Sequence, residues 1–241
     1  MKEECDRVCP WYGEVTLNRK WFIRHFVSGI VSSLNEPCQI IIPAAGKSPL
    51  ALELLDAFTD RIERVIETDI TGMAEKHQIY ARTAPEHAGR IRCVTADLFD
   101  RTGTFRAIVS GGGYDPGSPS VIILEGISYY IPQKVLSGAA SLFASAPKRN
   151  TIVVESLLPC RLVNREKRHI PKGIWDIIIR MCCLEKTMTY SPEEMEQTLR
   201  SAGCDRIRHY PMHDIERSRT GTNRYFPTPA DGWIQVTTGR L

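Results

Sequence analysis

The stretch Gln39-Ile-Ile-Ile-Pro-Ala-Ala-Gly-Lys-Ser-Pro-Leu-Ala-Leu-Glu-Leu-Leu55 carries the strongest fold signal in this chain. Its apolar residues predict a buried strand, small residues of a tight turn follow at once, and the apolar spacing after them predicts a helix. Ser48 can cap that helix, and Pro49 suits its first position because proline lacks the N–H that would be unpaired there. A strand that enters a helix through a tight turn is typical of a cofactor-binding turn.

Three further apolar runs have a carboxylate where the run stops, at Asp69, Asp97 and Glu125. In an open parallel sheet, ligands bind outside the carboxyl ends of the strands. We therefore expect the four strand ends to line one crevice. Carboxylates in such a crevice favour a ligand of the nucleoside type, because carboxylate oxygens can accept hydrogen bonds from its hydroxyl and amine groups.

Strand and helix patterns alternate through the first half of the chain. A helix over 18–34 precedes strands at 39–44, 64–69 and 91–98, which are separated by helices to about 58 and over 72–83. Apolar runs at 121–125 and 151–155 are typical of strands buried on both faces. Because crossovers between parallel strands are right-handed, helices should cover both faces. The predicted class is α/β, with a doubly wound, mostly parallel sheet.

The C-terminal part of the chain predicts a helix and two further strands. Ser191-Pro-Glu-Glu194 has the pattern of a capping box, and Gly203 would end that helix. Strand patterns at about 205–210 and 233–238 are separated by a polar loop. We expect this pair to close the sheet in antiparallel fashion.

We expect an N-terminal helical cap over residues 1–36 and one α/β domain over residues 37–241. Regular patterns weaken between about 158 and 189, where basic residues crowd near an apolar segment. We interpret this part as an insertion that covers the substrate. Its basic residues could attract an anionic acceptor or could belong to a solvated loop. They are Arg161, Arg165, Lys167 and Arg168.

Composition narrows the functional class. The 31 basic and 28 acidic residues give a net charge of +3, which does not favour nucleic acid or an anionic membrane surface as a partner. The eight cysteines have no paired CxxC spacing, which is typical of a reducing compartment. The N-terminus is polar and no apolar run approaches a membrane span, so we expect a soluble cytoplasmic protein. The histidines have no metal-ligand spacing, and we expect no metal.

Two nucleotide-binding motifs are incomplete in the first turn. A phosphate-binding P-loop needs a glycine five residues before Gly46, where this chain has Ile41. The dinucleotide fingerprint GxGxxG is represented by one glycine only. A plain structural turn remains the alternative to a ligand-binding one.

Each strand-end acid has a structural alternative to a binding role. Asp69 can accept hydrogen bonds from both hydroxyls of a ribose, and Glu67 lies on the same side of the strand. Either acid could instead be structural. Asp97 can accept from an exocyclic amine while the Leu98 N–H donates to a ring nitrogen. Glu125 needs a cationic partner, which could be a ligand ammonium or an internal arginine.

Three side chains are candidates for a catalytic role. Tyr129 and Tyr130 follow Glu125 closely and could help hold a positively charged centre by cation–π interaction. His209 could act as a general base if the loop after its strand folds back on the crevice. The alternative is that His209 is an ordinary surface histidine.

In their order, these motifs resemble those of class I S-adenosyl-L-methionine-dependent methyltransferases, and within them the leucine carboxyl methyltransferase family. The resemblance covers residues from about 39 to 156. It rests on Pro43-Ala-Ala-Gly46, on Glu67-Thr-Asp69 with the downstream Glu75-Lys76, on Asp97-Leu98, and on Glu125-Gly-Ile-Ser-Tyr-Tyr-Ile-Pro132.

The resemblance implies a Rossmann-like sheet of seven strands with an antiparallel C-terminal strand. It also implies that Ala44 to Gly46 approach the methionine moiety, Asp69 holds the ribose, and Glu125 faces the amino group. Arg24 is our candidate for the arginine that contacts the methionine carboxylate in that family. The implied cofactor site consists of Arg24, Pro43, Ala44, Ala45, Gly46, Glu67, Asp69, Asp97, Leu98, Glu125 and Gly126.

The chain departs from the family pattern in the first turn and in its N-terminal part. Ala44 replaces a glycine of the first turn, and Lys47-Ser48 stands where the family commonly has a small apolar residue and an aspartate. Much of the family's N-terminal substrate-binding extension is also missing, so the acceptor stays open.

The resemblance implies transfer of a methyl group from S-adenosyl-L-methionine, with S-adenosyl-L-homocysteine as the product. A carboxylate on a small molecule or peptide is the expected acceptor, because a carboxylate is already ionised near neutral pH and needs no base. Two alternatives stay open. One is a Rossmann-type oxidoreductase that binds a nicotinamide nucleotide, and the other is a methyltransferase-like binding module without activity.

Overall fold

A seven-stranded sheet forms the centre of the computed structural model, which describes residues 2–241. The first five strands are parallel, and the last two complete the sheet in the order β3-β2-β1-β4-β5-β7-β6. Strand β7 runs antiparallel to both β5 and β6. The strands are β1 (Cys38–Pro43), β2 (Ile62–Asp69), β3 (Ile91–Thr95), β4 (Ser120–Leu124), β5 (Thr151–Leu157), β6 (Asp205–Pro211) and β7 (Ile234–Arg240). The predicted fold class is confirmed.

Helices cover both faces of the sheet. They are α1 (Lys2–Val8), α2 (Tyr12–Ser33), α3 (Leu50–Ala57), α4 (Met73–Thr83), α5 (Pro85–Ala88), α6 (Arg101–Arg106), α7 (Gln133–Ser141), α8 (His169–Met181), α9 (Pro192–Ser201) and α10 (Met212–Thr220). Within residues 2–241, no helix has the length and apolar character that crossing a membrane requires.

Side-chain alternation along the strands divides the core into two layers. Ile40 and Ile42 of β1 pack in the layer that also contains side chains of α2, α3 and α8. Ile41 points to the other face, where α7 and α9 supply the apolar partners. All three isoleucines are almost fully buried, and each such side chain contributes about 1.5–3 kcal/mol. The apolar run that predicted β1 is therefore explained by burial on both faces.

Strand β1 pairs with β2 on one side and with β4 on the other. The chain order thus reverses beside β1, and an open sheet of this kind has its ligand crevice at such a reversal. Pro43 at the end of β1 lies opposite Thr68, next to the last residue of β2. This register brings the turn after β1 directly beside Asp69.

Several predicted boundaries are wrong by a few residues. Helix α2 begins at Tyr12 rather than at 18, and its Val15 is buried in the core. Ser48 does not cap α3: Pro49 holds the cap position, and the Ser48 hydroxyl makes no hydrogen bond within residues 2–241. Strand β3 ends at Thr95, so Asp97 lies two residues beyond the strand.

The C-terminal part contains one helix that the sequence did not predict. The polar loop expected between β6 and β7 holds α10, with Met212 and Ile215 buried. Glu216 of α10 accepts the backbone N–H groups of Tyr225 and Phe226, which ties the helix to the following loop. The predicted capping box is confirmed, because Ser191 and Glu194 accept each other's backbone N–H groups.

Candidate functional site

A crevice opens at the carboxyl ends of β1 to β4 and consists of two cavities that share Ala44. The larger, which we call the apolar cavity, has a volume of about 370 Å³. The smaller, which we call the charged cavity, has a volume of about 170 Å³. Ala44, Asp69, Ile70, Ala96, Asp97, Leu98, Phe99, Ile127, Tyr130 and Ile131 line the apolar cavity. Arg19, Ile42, Ala44, Ala45, Ser48, Glu125 and Gly126 line the charged cavity.

The turn after β1 has an unusual backbone. Ala44 and Gly46 both have positive φ angles, of 54° and 52°. This conformation costs an alanine about 1–2 kcal/mol, whereas glycine adopts it freely. The backbone N–H of Ala45 donates to the Thr68 carbonyl at 2.9 Å, which holds the turn against β2. Strain of this kind in a residue that lines both cavities is a common feature of functional sites.

Asp69 is held in place by two backbone groups. Its Oδ2 accepts the Gly46 N–H at 2.8 Å, and its Oδ1 accepts the Ile70 N–H at 2.7 Å. An ionised carboxylate has about four acceptor positions, so each oxygen can accept one more hydrogen bond. Asp69 therefore offers a fixed pair of acceptors at the edge of the apolar cavity.

The far wall of the apolar cavity is formed by the segment after β3. Asp97 Oδ1 accepts the Phe99 N–H at 2.9 Å, and the Thr104 hydroxyl donates to the Asp97 carbonyl at 2.6 Å. These two bonds fix the position of Asp97 although it lies outside the strand. Apolar and aromatic side chains complete the wall, namely Leu98, Phe99, Ile127, Tyr130 and Ile131.

Ion pairs between α2 and two strand ends surround the charged cavity. Lys20 Nζ lies 3.0 Å from Glu125 Oε1, and Arg19 Nη2 lies 3.6 Å from the same oxygen. Arg19 Nη1 also donates to Glu155 Oε1 at 2.9 Å. The Gly126 N–H donates to the other Glu155 oxygen at 3.1 Å. Glu125 thus has the internal arginine partner that was the alternative to a ligand ammonium, together with a lysine.

Two buried groups beneath the charged cavity have raised pKa values. Burial raises the pKa of the Glu155 carboxyl, while Arg19 opposes this shift by stabilising the carboxylate. Burial also raises the pKa of the Tyr129 hydroxyl well above its ordinary value, and Glu155 adds to the effect. Tyr129 therefore keeps its proton and stays neutral.

The sequence pattern of the leucine carboxyl methyltransferase family matches residues 3–142, which is more than half of the chain. The chain belongs to this family. The matched range contains α2 to α7 and β1 to β4, and with them every residue that lines the two cavities. Membership of this family supports methyl transfer as the class of activity.

Solved structures resemble this chain in fold. A protein from Thermobifida fusca YX proposed to be a methyltransferase superposes with a TM-score of 0.68 at 16% identity, over 99% of this chain and 85% of the other. A DUF574 family protein from Streptomyces avermitilis MA-4680 gives 0.71 at 14% identity, over 99% and 89%. The CurJ carbon methyltransferase gives 0.58 at 13% identity, over 98% and 60%. None of the curated protein sequences matches the chain.

Two of the residues that the family resemblance implied lie away from the crevice. Glu67 is fully buried on β2, where Lys76 Nζ of α4 lies 2.9 Å from its Oε1 and the Tyr80 hydroxyl donates to Oε2 at 3.1 Å. Burial raises the pKa of Glu67, and Lys76 opposes the shift. Arg24 forms a two-pronged ion pair with Glu53 of α3 and lines neither cavity.

The other predicted residues divide between the crevice and its surroundings. Pro43 is buried at the end of β1, directly before the turn that lines the cavities. Among the catalytic candidates, Tyr130 lines the apolar cavity, and the ring of Tyr129 packs against it in a tilted arrangement with the centroids 4.7 Å apart. His209 lines neither cavity. Its Nδ1 pairs with Thr237 Oγ1 at 3.0 Å, and its Nε2 lies 3.9 Å from Glu196 Oε2 of α9. It is therefore out of reach of the crevice as a base.

Three of the four basic residues of the predicted insertion have partners within the protein, and the fourth, Arg165, is exposed. Lys167 pairs with Asp231 at 2.9 Å, and Arg161 lies 3.7 Å from Glu194. Arg168 donates to the backbone carbonyls of Val163 and Arg161. These contacts organise the loop before α8, so the interpretation of these residues as an anion attractor gains no support.

Sequence reasoning missed three charged residues beside the crevice: Arg19, Lys20 and Glu155. Glu155 directly follows an apolar run in the sequence, as Glu125 does, and this signal could have identified it, although β5 continues to Leu157. Arg19 and Lys20 lie on α2 at positions that no motif marks. Their position became evident only from the packing of α2 against the strand ends.

A further cavity of about 500 Å³ lies on the opposite side of Asp69, between α3 and α4. Of the predicted cofactor-binding residues, Gly46 and Asp69 line it, and Gly46 lines neither part of the crevice. Lys47, Ser48 and Tyr80 also line it. Although it is larger than either part of the crevice, it contains neither Glu125 nor Arg19. We favour the crevice as the functional site because Ala44, Asp97 and Glu125 line it and do not line the further cavity.

Proposed function

We propose that this chain transfers a methyl group from S-adenosyl-L-methionine to a carboxylate of a small molecule or peptide. The observation that carries the proposal is the convergence of Ala44, Asp69, Asp97 and Glu125 on two cavities joined at Ala44. This set combines an apolar slot edged by carboxylates with a charged end, which matches the two halves of that cofactor.

The apolar cavity suits the adenosine half. Asp69 would accept the ribose hydroxyls through the lone pairs that Gly46 and Ile70 leave free. Asp97 would accept from the adenine amine, and Leu98, beside it, would offer its N–H to a ring nitrogen. The apolar side chains of Ile127 and Tyr130 would cover the faces of the base.

The charged cavity suits the amino-acid half. Glu125 would bind the ammonium group, and Arg19 would bind the carboxylate, because its guanidinium lies in this cavity between two acids. In this proposal, Arg19 would take the role for which the sequence suggested Arg24. Glu155 would hold Arg19 in position through their hydrogen bond at 2.9 Å.

The cofactor, when bound, supplies an electrophilic methyl group on a sulfonium centre. The contribution of the protein is to align the acceptor with that methyl group and to exclude water. Positioning of this kind is worth roughly 7–11 kcal/mol in favourable cases. The strained Ala44 lines both cavities and Tyr130 lines the apolar one, so the Ala44 turn would border the reacting atoms and Tyr130 would face them from the apolar side.

The nature of the cavity walls favours a carboxylate acceptor. No histidine of residues 2–241 lines either cavity, and burial raises the pKa of Tyr130, which makes that hydroxyl a poor base. A carboxylate acceptor needs no base because it is already ionised at neutral pH. A phenol or an amine acceptor would require a group to take its proton.

We further propose that two parts of the chain cover the crevice. The first is the N-terminal cap over residues 1–36, which brings Arg19 and Lys20 to Glu125. The second is the segment over about 158–189, whose Met188 N–H donates to the Tyr129 carbonyl at 3.0 Å. Both contact the strand ends from outside the sheet, as elements that enclose an acceptor would.

Calorimetry with S-adenosyl-L-homocysteine tests the cofactor assignment. We expect saturable binding at one site per chain and no binding of NADH or NADPH. Binding of a reduced nicotinamide nucleotide instead would favour the oxidoreductase alternative.

A labelling experiment tests the acceptor. Methyl-labelled S-adenosyl-L-methionine is incubated with a panel of small acids and of peptides with a free C-terminus, and the products are treated with mild base. Methyl esters release the label as volatile methanol, whereas most N-methyl and ether products retain it. Label that stays on the acceptor would overturn carboxylate methylation, and binding without any transfer would favour a non-catalytic module.

A further inference from the structure

A second concave site lies at the opposite edge of the sheet from the crevice. It is found where β5 begins, where β7 ends and beside β6, with a volume of about 280 Å³. We call it the basic groove and define it by Phe26, Arg206, Arg208, Tyr210, Thr238 and Arg240. The crevice lies at the carboxyl ends of the parallel strands, whereas Thr151 and Arg240 of the groove lie at the amino end of β5. Tyr210 lies farther along, opposite Val236, which also pairs with Glu155.

The charges of the basic groove are all of one sign. Arg206, Arg208 and Arg240 line it, and no acidic side chain does. Across residues 2–241, none of these three guanidinium groups has a carboxylate oxygen within 4.0 Å, whereas Arg24 and Arg219 are both ion-paired. Arg240 donates to the Thr151 hydroxyl at 2.8 Å, which fixes its direction, and Asp205 of β6 lies opposite it in the ladder without forming an ion pair with it.

The backbone of β6 brings the arginines together. Arg208 lies opposite Thr238 of β7, and the ladder is irregular between Asp205 and Arg208. Within this irregularity Arg206 has a φ of 49°. Such bulges redirect side chains, and here Arg206 lines the same groove as Arg208. Residues of a regular strand have negative φ angles, so the strained conformation of Arg206 belongs to this irregularity.

An aromatic wall closes one side of the groove. Phe26 of α2 and Tyr210 of β6 have ring centroids 6.0 Å apart and both line the cavity. Charged side chains on an edge strand often serve only to prevent pairing with another chain. That role does not explain Arg240, which is half-buried on the inner strand β7, or the aromatic wall.

We propose that the basic groove binds a small phosphate-bearing ligand of the nucleoside monophosphate class. Guanidinium groups bind phosphate oxygens through paired, charge-assisted hydrogen bonds, and three of them converge here without a protein carboxylate. Phe26 and Tyr210 provide the apolar surface for a planar ring. The Thr238 hydroxyl lies beside Arg208 as a further hydrogen-bonding group.

The test is calorimetric titration of the full chain with AMP, inorganic phosphate and adenosine at about 50 mM NaCl, where screening is weak. We expect saturable AMP binding, weaker phosphate binding and no adenosine binding at this groove. Arg208→Gln and Arg240→Gln should each weaken AMP binding by about tenfold or more, since each removes a charge-assisted contact. Arg106→Gln, which changes an exposed arginine outside the groove, should leave it unchanged.

The cofactor crevice could itself accept AMP, so Asp69→Ala is included as a second control. The proposal requires that this variant bind AMP as the unaltered protein does, whatever its affinity for S-adenosyl-L-homocysteine. Loss of AMP binding in Asp69→Ala, or full binding in both arginine variants, would overturn the proposal. Equal affinity for phosphate and AMP would overturn the assignment of a nucleoside. Circular dichroism and melting curves confirm that the variants are folded.

Discussion

The backbone N–H of Gly46 donates to the Oδ2 atom of Asp69 at 2.8 Å, and this bond joins the turn after β1 to the end of β2. It fixes the direction of the carboxylate before any ligand arrives. Because Oδ1 is held in the same way by Ile70, the remaining lone pairs have defined positions. Preorganisation of this kind reduces the entropic cost of binding a ligand.

Replacement of Asp69 by alanine should weaken binding of S-adenosyl-L-homocysteine about ten- to hundredfold. A hydrogen bond to a charged group contributes about 1.5–3 kcal/mol, and the change also releases Gly46 from the carboxylate. Calorimetry measures the affinity, with the exposed Asp60→Ala as the matched control. Equal affinity in Asp69→Ala and in the unaltered protein would show that the ribose is held elsewhere.

Ala44 should respond to substitution according to its positive φ angle of 54°. Ala44→Gly removes a strain of about 1–2 kcal/mol. It also increases the conformational entropy of the unfolded chain, which lowers the stability by about 0.5–1 kcal/mol. We therefore expect a gain in unfolding free energy of up to about 1.5 kcal/mol. Ala44→Val should lose about 1–3 kcal/mol, since a β-branched side chain tolerates this conformation poorly. Urea denaturation measures both, and destabilisation by glycine would contradict the strain argument.

The buried pair of Glu67 and Lys76 should contribute to stability rather than to cofactor binding. Lys76→Met leaves Glu67 buried without a cation, and removal of one partner of a buried pair costs about 3–5 kcal/mol. The double variant Glu67→Leu/Lys76→Met should cost less than the sum of the single changes, which a double-mutant cycle in urea measures.

Glu67→Gln provides the decisive variant for the role of this acid. We expect its affinity for S-adenosyl-L-homocysteine to stay within about twofold of the unaltered protein, because Glu67 lies away from both cavities. A tenfold loss of affinity in a variant of normal stability would instead place Glu67 in the binding site.

His209 should make stability depend on pH. Burial lowers the pKa of its imidazole in the folded state, and Glu196 opposes this shift. The unfolded chain therefore binds the proton more readily, so stability falls as the pH drops below the ordinary histidine value of about 6.5. Between about pH 7.5 and about pH 5, His209→Gln should lose less unfolding free energy than the unaltered protein. His77→Gln, exposed on α4, serves as the control, and an identical pH dependence in His209→Gln would refute this role.

The sequence predicted the sheet and the edge at which its ligands bind, because both follow from local patterns. Apolar runs such as Ile40 to Ile42 have to be buried, and an acid directly after such a run has to lie at the strand end. Ala44, Asp69, Asp97 and Glu125 could be placed at one edge for that reason. Helix α10 could not be predicted in this way. Its polar sequence is stabilised by hydrogen bonds from the Tyr225 and Phe226 N–H groups of the following loop to the Glu216 carboxylate.

Which charged residues reach the crevice was decided by tertiary packing alone. Arg19 and Arg24 are both on α2, but five residues along a helix rotate a side chain by about 140°, and only the packing of α2 against the sheet selects Arg19. Glu67 and Asp69 share a side of β2, yet Glu67 lies about 7 Å deeper and is covered by Lys76 of α4. Local sequence determines where a strand or helix forms and which residues share a face, whereas the depth and rotation of that face depend on contacts between distant parts of the chain.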